Sequence, residues 1–257
     1  MAVTGGTGIG ASFDPERIAA LRAQQPLPPV PGAPPPQLGS SPTPPGKPGF
    51  TGAREVWARA AALVLGFVAL LYAIEGFDAV SSVELDQAGI EPRQLDGLTG
   101  ILWAPMLHGG WAHLIGNTLP VLVLGFLALV SGIGRGLAAT AIIWAVAGVG
   151  TWLIGGSGTV HLGASALVFG WLTFIILRGW FGRHVGQIVI GLIVLAVYGS
   201  LLWGVLPGQP GISWQGHLFG AVGGVLAAWM LSGDERERHR AALPASGFGP
   251  AGTPGRG

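Results

Sequence analysis

Six apolar segments, most of them about as long as a bilayer is thick, constrain this chain more than anything else in it. They lie at 56–75, 111–131, 136–154, 165–178, 185–204 and 215–232, against the roughly 17–25 residues a membrane helix requires. The fourth is short and interrupted by Gly170. Only 10% of the residues are charged, where a soluble domain carries about a quarter, and the mean hydropathy is +0.58. The expected fold is therefore an all-α integral membrane protein, a bundle of six transmembrane helices.

The flanks differ in kind. Residues 1–54 are rich in proline, with Pro34-Pro35-Pro36 and Pro44-Pro45, and favour polyproline II and flexible coil. Residues 233–257 open on Asp234-Glu235-Arg236-Glu237-Arg238 and then run into Gly, Pro and Ala. Both are expected to be disordered tails around a core at 55–232. The connection 76–110 is long and acidic; its Trp103-Ala104-Pro105-Met106-Leu107 is apolar but too short to span, which fits an interfacial or re-entrant element.

Positive charge orients the helices. Arg54 and Arg59, Arg135, Arg178 and Arg183, and Arg236 to Arg240 all fall on one side of a six-helix arrangement, and Arg93 alone falls on the other. Lys and Arg collect on the cytoplasmic side, so both termini are expected there, in the inner (plasma) membrane. The excess of Ala, Gly, Pro and Arg over Lys suggests a GC-rich bacterial genome. A net charge of +1, with no basic stripe, argues against nucleic acid as a partner. The absence of cysteine rules out disulfides and thiolate metal sites.

With that orientation, segments 2, 4 and 6 all begin at the outer face. There lie His113 and Asn117, Ser165, and His217. Polar residues at membrane depth are costly and mark function. A serine becomes a nucleophile when a base takes its proton, and His217 is the available base. No Asp or Glu occurs between Gly97 and Gly233, so the arrangement is read as a Ser–His dyad with the imidazole positioned by packing. Phe169, four residues after Ser165, shares its helix face and is placed to stack on His217. Gly163 and Gly220 give small-residue faces for close helix approach. His113 and Asn117, also four apart, are candidate oxyanion donors with the amide of Ser165. His108 is expected to tie the loop to segment 2 near Gly109-Gly110, and His161 to stabilise a loop or line the pocket. No cofactor and no metal is expected.

These residues carry a resemblance. His108-x4-His113-x3-Asn117, Gly163-Ala164-Ser165-Ala166 with Gly170, and His217-Leu218-Phe219-Gly220 with Gly224 resemble, in order, the three motifs of the rhomboid family of intramembrane serine proteases. The resemblance implies Ser165 as nucleophile, His217 as general base, and His113 and Asn117 in the oxyanion hole. It also implies that the loop around Trp203 to Trp214, with Pro207 and Pro210, is a mobile cap over the site. The implied substrates are single-pass membrane helices in lipid, cut near the outer face at small residues. Three positions depart from the pattern. Ala166 stands where glycine is usual, Gly216 where alanine is usual, and a Trp-Arg pair is missing from the first outer loop.

Two other readings compete. A catalytically silent, rhomboid-like protein that binds membrane helices would be expected to lack Ser165 or His217, and both are present. A proton or metal transporter built on His113, Asn117 and His217 leaves Ser165 and its glycine loop without a role. No H-E-x-x-H exists to hold zinc.

Overall fold

A computed structural model describes residues 50–209 and 211–233. Among the described residues, six long helices follow one another: α1 (Phe50–Val80), α2 (Trp111–Val130), α3 (Ile133–Ile154), α4 (Ser165–Gly182), α5 (Val185–Tyr198) and α6 (Trp214–Met230). Residues 50–54 thus belong to α1 and not to the expected tail. The remainder of both expected tails, and Pro210, lie outside the described residues.

Among the described residues five helices are long and apolar enough to cross a membrane; the fifth runs from α5 through the 3₁₀ segment Gly199–Val205. At 17 residues, α6 is the shortest segment of the expected six apart from the α-helical part of α5. Three helices depart from the sequence reading by four residues or more. α1 has 31 residues, about 46 Å at 1.5 Å per residue, so it outreaches a hydrocarbon core of about 30 Å. α4 continues four residues past 178 and ends where Arg183 turns left-handed at φ 54°. α5 gives way to 3₁₀ geometry from Gly199, where Gly and Ser weaken the α form.

α4 is the centre of the fold. Its 18 residues are 61% buried, against 11% to 39% for the other four spans. Leu167, Leu172 and Phe174 lie in one apolar cluster with Val121, Leu124 and Ile143 from α2 and α3. Between membrane helices, close packing and hydrogen bonds replace the hydrophobic drive. Both appear here. Gly220 and Gly224 of α6 let their helix press on the backbones of Ala166 and Gly170, with no room for a Cβ. Thr173 Oγ1 donates to the Ala221 carbonyl at 2.8 Å, and Trp171 Nε1 to Thr140 Oγ1 at 2.9 Å. α1 packs on α2 through Tyr72 and Thr118, whose hydroxyls are 3.1 Å apart.

The apolar stretch before α2 forms one helical turn, Gly100–Trp103, then a 3₁₀ turn, Ala104–Met106. It is folded into the protein: Ile101 O accepts from Trp144 Nε1 at 2.6 Å, and Ala104 O accepts from the Gly163 amide at 2.7 Å. Arg93 braces the end of α3. Its guanidinium donates to Leu153 O at 3.0 Å, Gly155 O at 2.8 Å and Ser157 Oγ at 2.7 Å. The charged side chain thereby satisfies carbonyls that a helix end leaves free.

Candidate catalytic site

Ser165 is the first residue of α4 and His217 the fourth of α6. The close crossing of those helices brings His217 Nε2 to 2.9 Å from Ser165 Oγ. On its other side, His217 Nδ1 lies 2.9 Å from the carbonyl of Gly204. A carbonyl can only accept, so Nδ1 carries the proton and Nε2 is left bare toward the serine hydroxyl. The orienting partner that the sequence lacks as a carboxylate is thus a backbone carbonyl. Phe169 stacks on the imidazole, centroids 4.1 Å apart and planes 11° from parallel. Packing and Gly204 together hold the ring.

Gly204 was not anticipated from the sequence, and a backbone acceptor leaves no residue-type signature. Its one trace is the absence of a side chain. A Cβ there would stand 2.8 Å from Phe169 Cζ and 3.2 Å from His217 Nδ1.

Opposite the dyad, His113 and Asn117 face the same cavity, about 880 Å³, that Ser165 and His217 line. His113 Nδ1 accepts the Gly109 amide at 3.4 Å, which leaves its Nε2 to donate. Asn117 is buried, and its Nδ2 has no hydrogen-bond partner among the described residues. The first two amides of α4, Ser165 and Ala166, lack intrahelical acceptors as at any helix start, whereas Leu167 already donates to Ala164 O at 3.0 Å; the helix dipole favours an anion there. Gly163 is required twice over. Its φ is +113°, in the region that favours glycine, and a Cβ would stand 2.7 Å from His113 Cε1.

His108 acts elsewhere than expected. Its Nε2 accepts the Ala164 amide at 3.4 Å, so it ties the segment before α2 to the residue preceding Ser165. The Gly109 amide, near which it was expected to bond, belongs to His113 instead. Burial, reinforced by His113, holds His108 down to about 4, so it is neutral at ordinary pH. His161 is buried, and burial pushes its pKa down. It bonds Thr159 Oγ1 at 2.8 Å and Ser213 Oγ at 2.7 Å.

Behind Ser165 lies a second cavity of about 30 Å³, bordered by Thr151, His161, Ala166 and Ser213. That is room for a water. The departures from the family pattern take their place around these groups. Ala166 borders the small cavity. At Gly216 a Cβ would stand 2.9 Å from Ser213 Oγ, so glycine makes way for the serine that caps α6. Arg93, the lone cation of the first loop, braces α3. Within the cap segment Trp203, Gln209 and Ile212 border the large cavity. Among the described residues no cluster of three His, Asp or Glu side chains could hold a metal ion.

Comparison with known proteins gives the chain a family. A family model described as "Rhomboid domain" matches residues 96–234. An uncharacterized protein of Mycobacterium tuberculosis, Rv1337, is 50% identical over 192 residues, 72% of this chain and 80% of its own. An uncharacterized protein of Mycobacterium leprae, ML1171, is 44% identical over 73% of this chain and 77% of its own. A Bacillus subtilis protein named "Putative rhomboid protease YdcA" is 26% identical over 52% of this chain and 67% of its own. No solved structure matches. With the domain covering more than half of its length, this multi-pass membrane chain belongs to the rhomboid family.

Proposed function

We propose that the protein is an intramembrane serine endopeptidase that cuts membrane-helix proteins near the outer face of the plasma membrane. One observation carries the reading: Ser165 Oγ lies 2.9 Å from His217 Nε2 while Gly204 O holds the opposite ring nitrogen. Hydroxyl, base and orienting acceptor are then in line for acyl transfer. His217 Nε2 takes the Ser165 proton as Oγ attacks the scissile carbonyl carbon. The resulting oxyanion is bound by Asn117 Nδ2, His113 Nε2 and the Ser165 amide, donors oriented before the charge develops. Collapse breaks the peptide C–N bond, and His217 returns its proton to the leaving amine. A water, deprotonated by His217, then attacks the acyl-serine, and the proton passes back to Ser165 as the ester breaks.

α6 is read as the sixth span, both termini as cytoplasmic, and the site as opening to the outer side. The near-exclusive placement of Lys and Arg on the other side supports this. The large cavity supports a substrate segment in extended form, since a folded helix keeps its carbonyls bonded to itself.

The test is reconstitution with a tagged membrane-helix substrate, beside Ser165→Ala and His217→Ala. The parent is expected to cut and to be labelled at Ser165 by a fluorophosphonate, and both variants to lose cleavage. Cleavage that survives Ser165→Ala overturns the proposal.

A further inference from the structure

His161 lies four residues before Ser165 and belongs to neither half of the dyad, yet a continuous chain of polar contacts runs from it to the helix carrying His217. Its backbone is pinned on both sides by Ile90: the Ile90 amide donates to His161 O at 2.8 Å, and the His161 amide to Ile90 O at 3.0 Å. The Gly163 amide is held by Ala104 O at 2.7 Å. The loop feeding Ser165 is therefore anchored, and the ring of His161 projects from a fixed post.

The hydrogens along the chain have one consistent arrangement for a neutral ring. Thr159 Oγ1 lies 2.7 Å from Gly156 O and must donate to it, because a carbonyl only accepts. Thr159 Oγ1 therefore accepts from His161 Nε2–H at 2.8 Å. That leaves Nδ1 bare, and it accepts the Ser213 hydroxyl at 2.7 Å. Ser213 Oγ in turn accepts the Gly216 amide at 3.3 Å as the N-cap of α6. Burial lowers the pKa of His161, in keeping with a neutral ring. Ser213 O also accepts the His217 amide at 3.1 Å, so the capping residue and the base share one helical turn.

We infer that His161 is a positioning residue: by holding Ser213 it fixes the first turn of α6, and with it His217, at proton-transfer distance from Ser165. The close contact of Gly220 with Ala166 sets the crossing one turn deeper. The His161–Ser213 bond sets it at the mouth. Two clamps on either side of His217 leave it little freedom to tilt. This inference rests on the peptidase reading.

The experiment uses full-length reconstituted protein, a membrane-helix substrate and a fluorophosphonate. His161→Phe keeps a ring of similar size and loses both hydrogen bonds; Ser213→Ala loses the same bond from the other end. Each is expected to lower kcat and the Ser165 labelling rate by about 10- to 100-fold, the scale of an ångström's misplacement. KM should change less than kcat: both side chains border the large cavity, but the bond that is lost lies between them and not to substrate. The double variant should be no slower than the slower single one, as for two ends of one contact. His161→Asn, whose amide oxygen can take the place of Nδ1, should recover most of the rate. If His161→Phe does not fold, Ser213→Ala against Ser213→Thr makes the same comparison. Parental kcat in the folded variants, losses that multiply in the double variant, or equal loss in His161→Asn and His161→Phe each overturn the inference while leaving the peptidase standing. A parent inert to both substrate and fluorophosphonate overturns the peptidase reading and this one with it.

Discussion

Replacing Gly220 by alanine tests whether the crossing of α4 and α6 sets the catalytic distance. A Cβ at 220 would overlap the carbonyl oxygen of Ala166 and stand 3.0 Å from its carbonyl carbon and 3.2 Å from its Cα. All three are backbone atoms, so no rotamer change relieves the clash. Ordinary carbon contacts begin near 3.5 Å, so the helices must part by about 1 Å at this level. His217 lies one turn away on the same helix, and a shift of that size would carry its Nε2 from 2.9 Å to about 3.9 Å from Ser165 Oγ, outside hydrogen-bond range. The expected loss in kcat is about 100-fold, with a destabilisation of about 1–3 kcal/mol from overpacking. The assay compares kcat, the rate of fluorophosphonate labelling and the thermal midpoint with those of the parent. Gly66→Ala on α1, where nothing lies within 4 Å of the new methyl group, is the control and should match the parent. A folded Gly220→Ala protein with parental kcat and labelling refutes the argument that this crossing holds the dyad together.

Three further predictions follow from single contacts. Asn117→Ala removes the buried, unpartnered Nδ2, and kcat should fall about 10²- to 10³-fold with KM little changed; a change confined to KM speaks against an oxyanion role. His108 has a folded-state pKa of about 4 against an ordinary 6.5, so the unfolded chain binds the proton first. Its contribution is intact above about pH 6.5 and is lost as pH falls toward 4, by about 3 kcal/mol in all. Denaturation midpoints across that window should drop more in the parent than in His108→Phe, and parallel curves would count against it. Arg93→Ala should cost about 1 kcal/mol by leaving the α3 end uncapped, read as a lower thermal midpoint. Arg93→Lys should recover only part, since one ammonium cannot reproduce the fork.

Sequence alone determined the helical membrane architecture and singled out the candidate residues for the proposed chemistry. Both follow from the cost of polar groups in lipid: long apolar runs must fold as helices, and a serine, histidines and an asparagine at one depth stand out against them. Helix ends were less legible, because the 3₁₀ stretch at Gly199–Val205 is itself largely apolar and continues the helix without a break. Tertiary structure alone decided what holds His217. The Gly204 carbonyl is a backbone atom, identical in every residue, and only folding brings it to the ring. The same is true of the His108 bond to the Ala164 amide and of the His161–Ser213 clasp. These partners lie 56 and 52 residues apart, and no local pattern in the chain couples them. Composition and periodicity report what each segment must avoid in lipid; which atoms meet across segments depends on helix crossings that exist only once the glycine faces have packed.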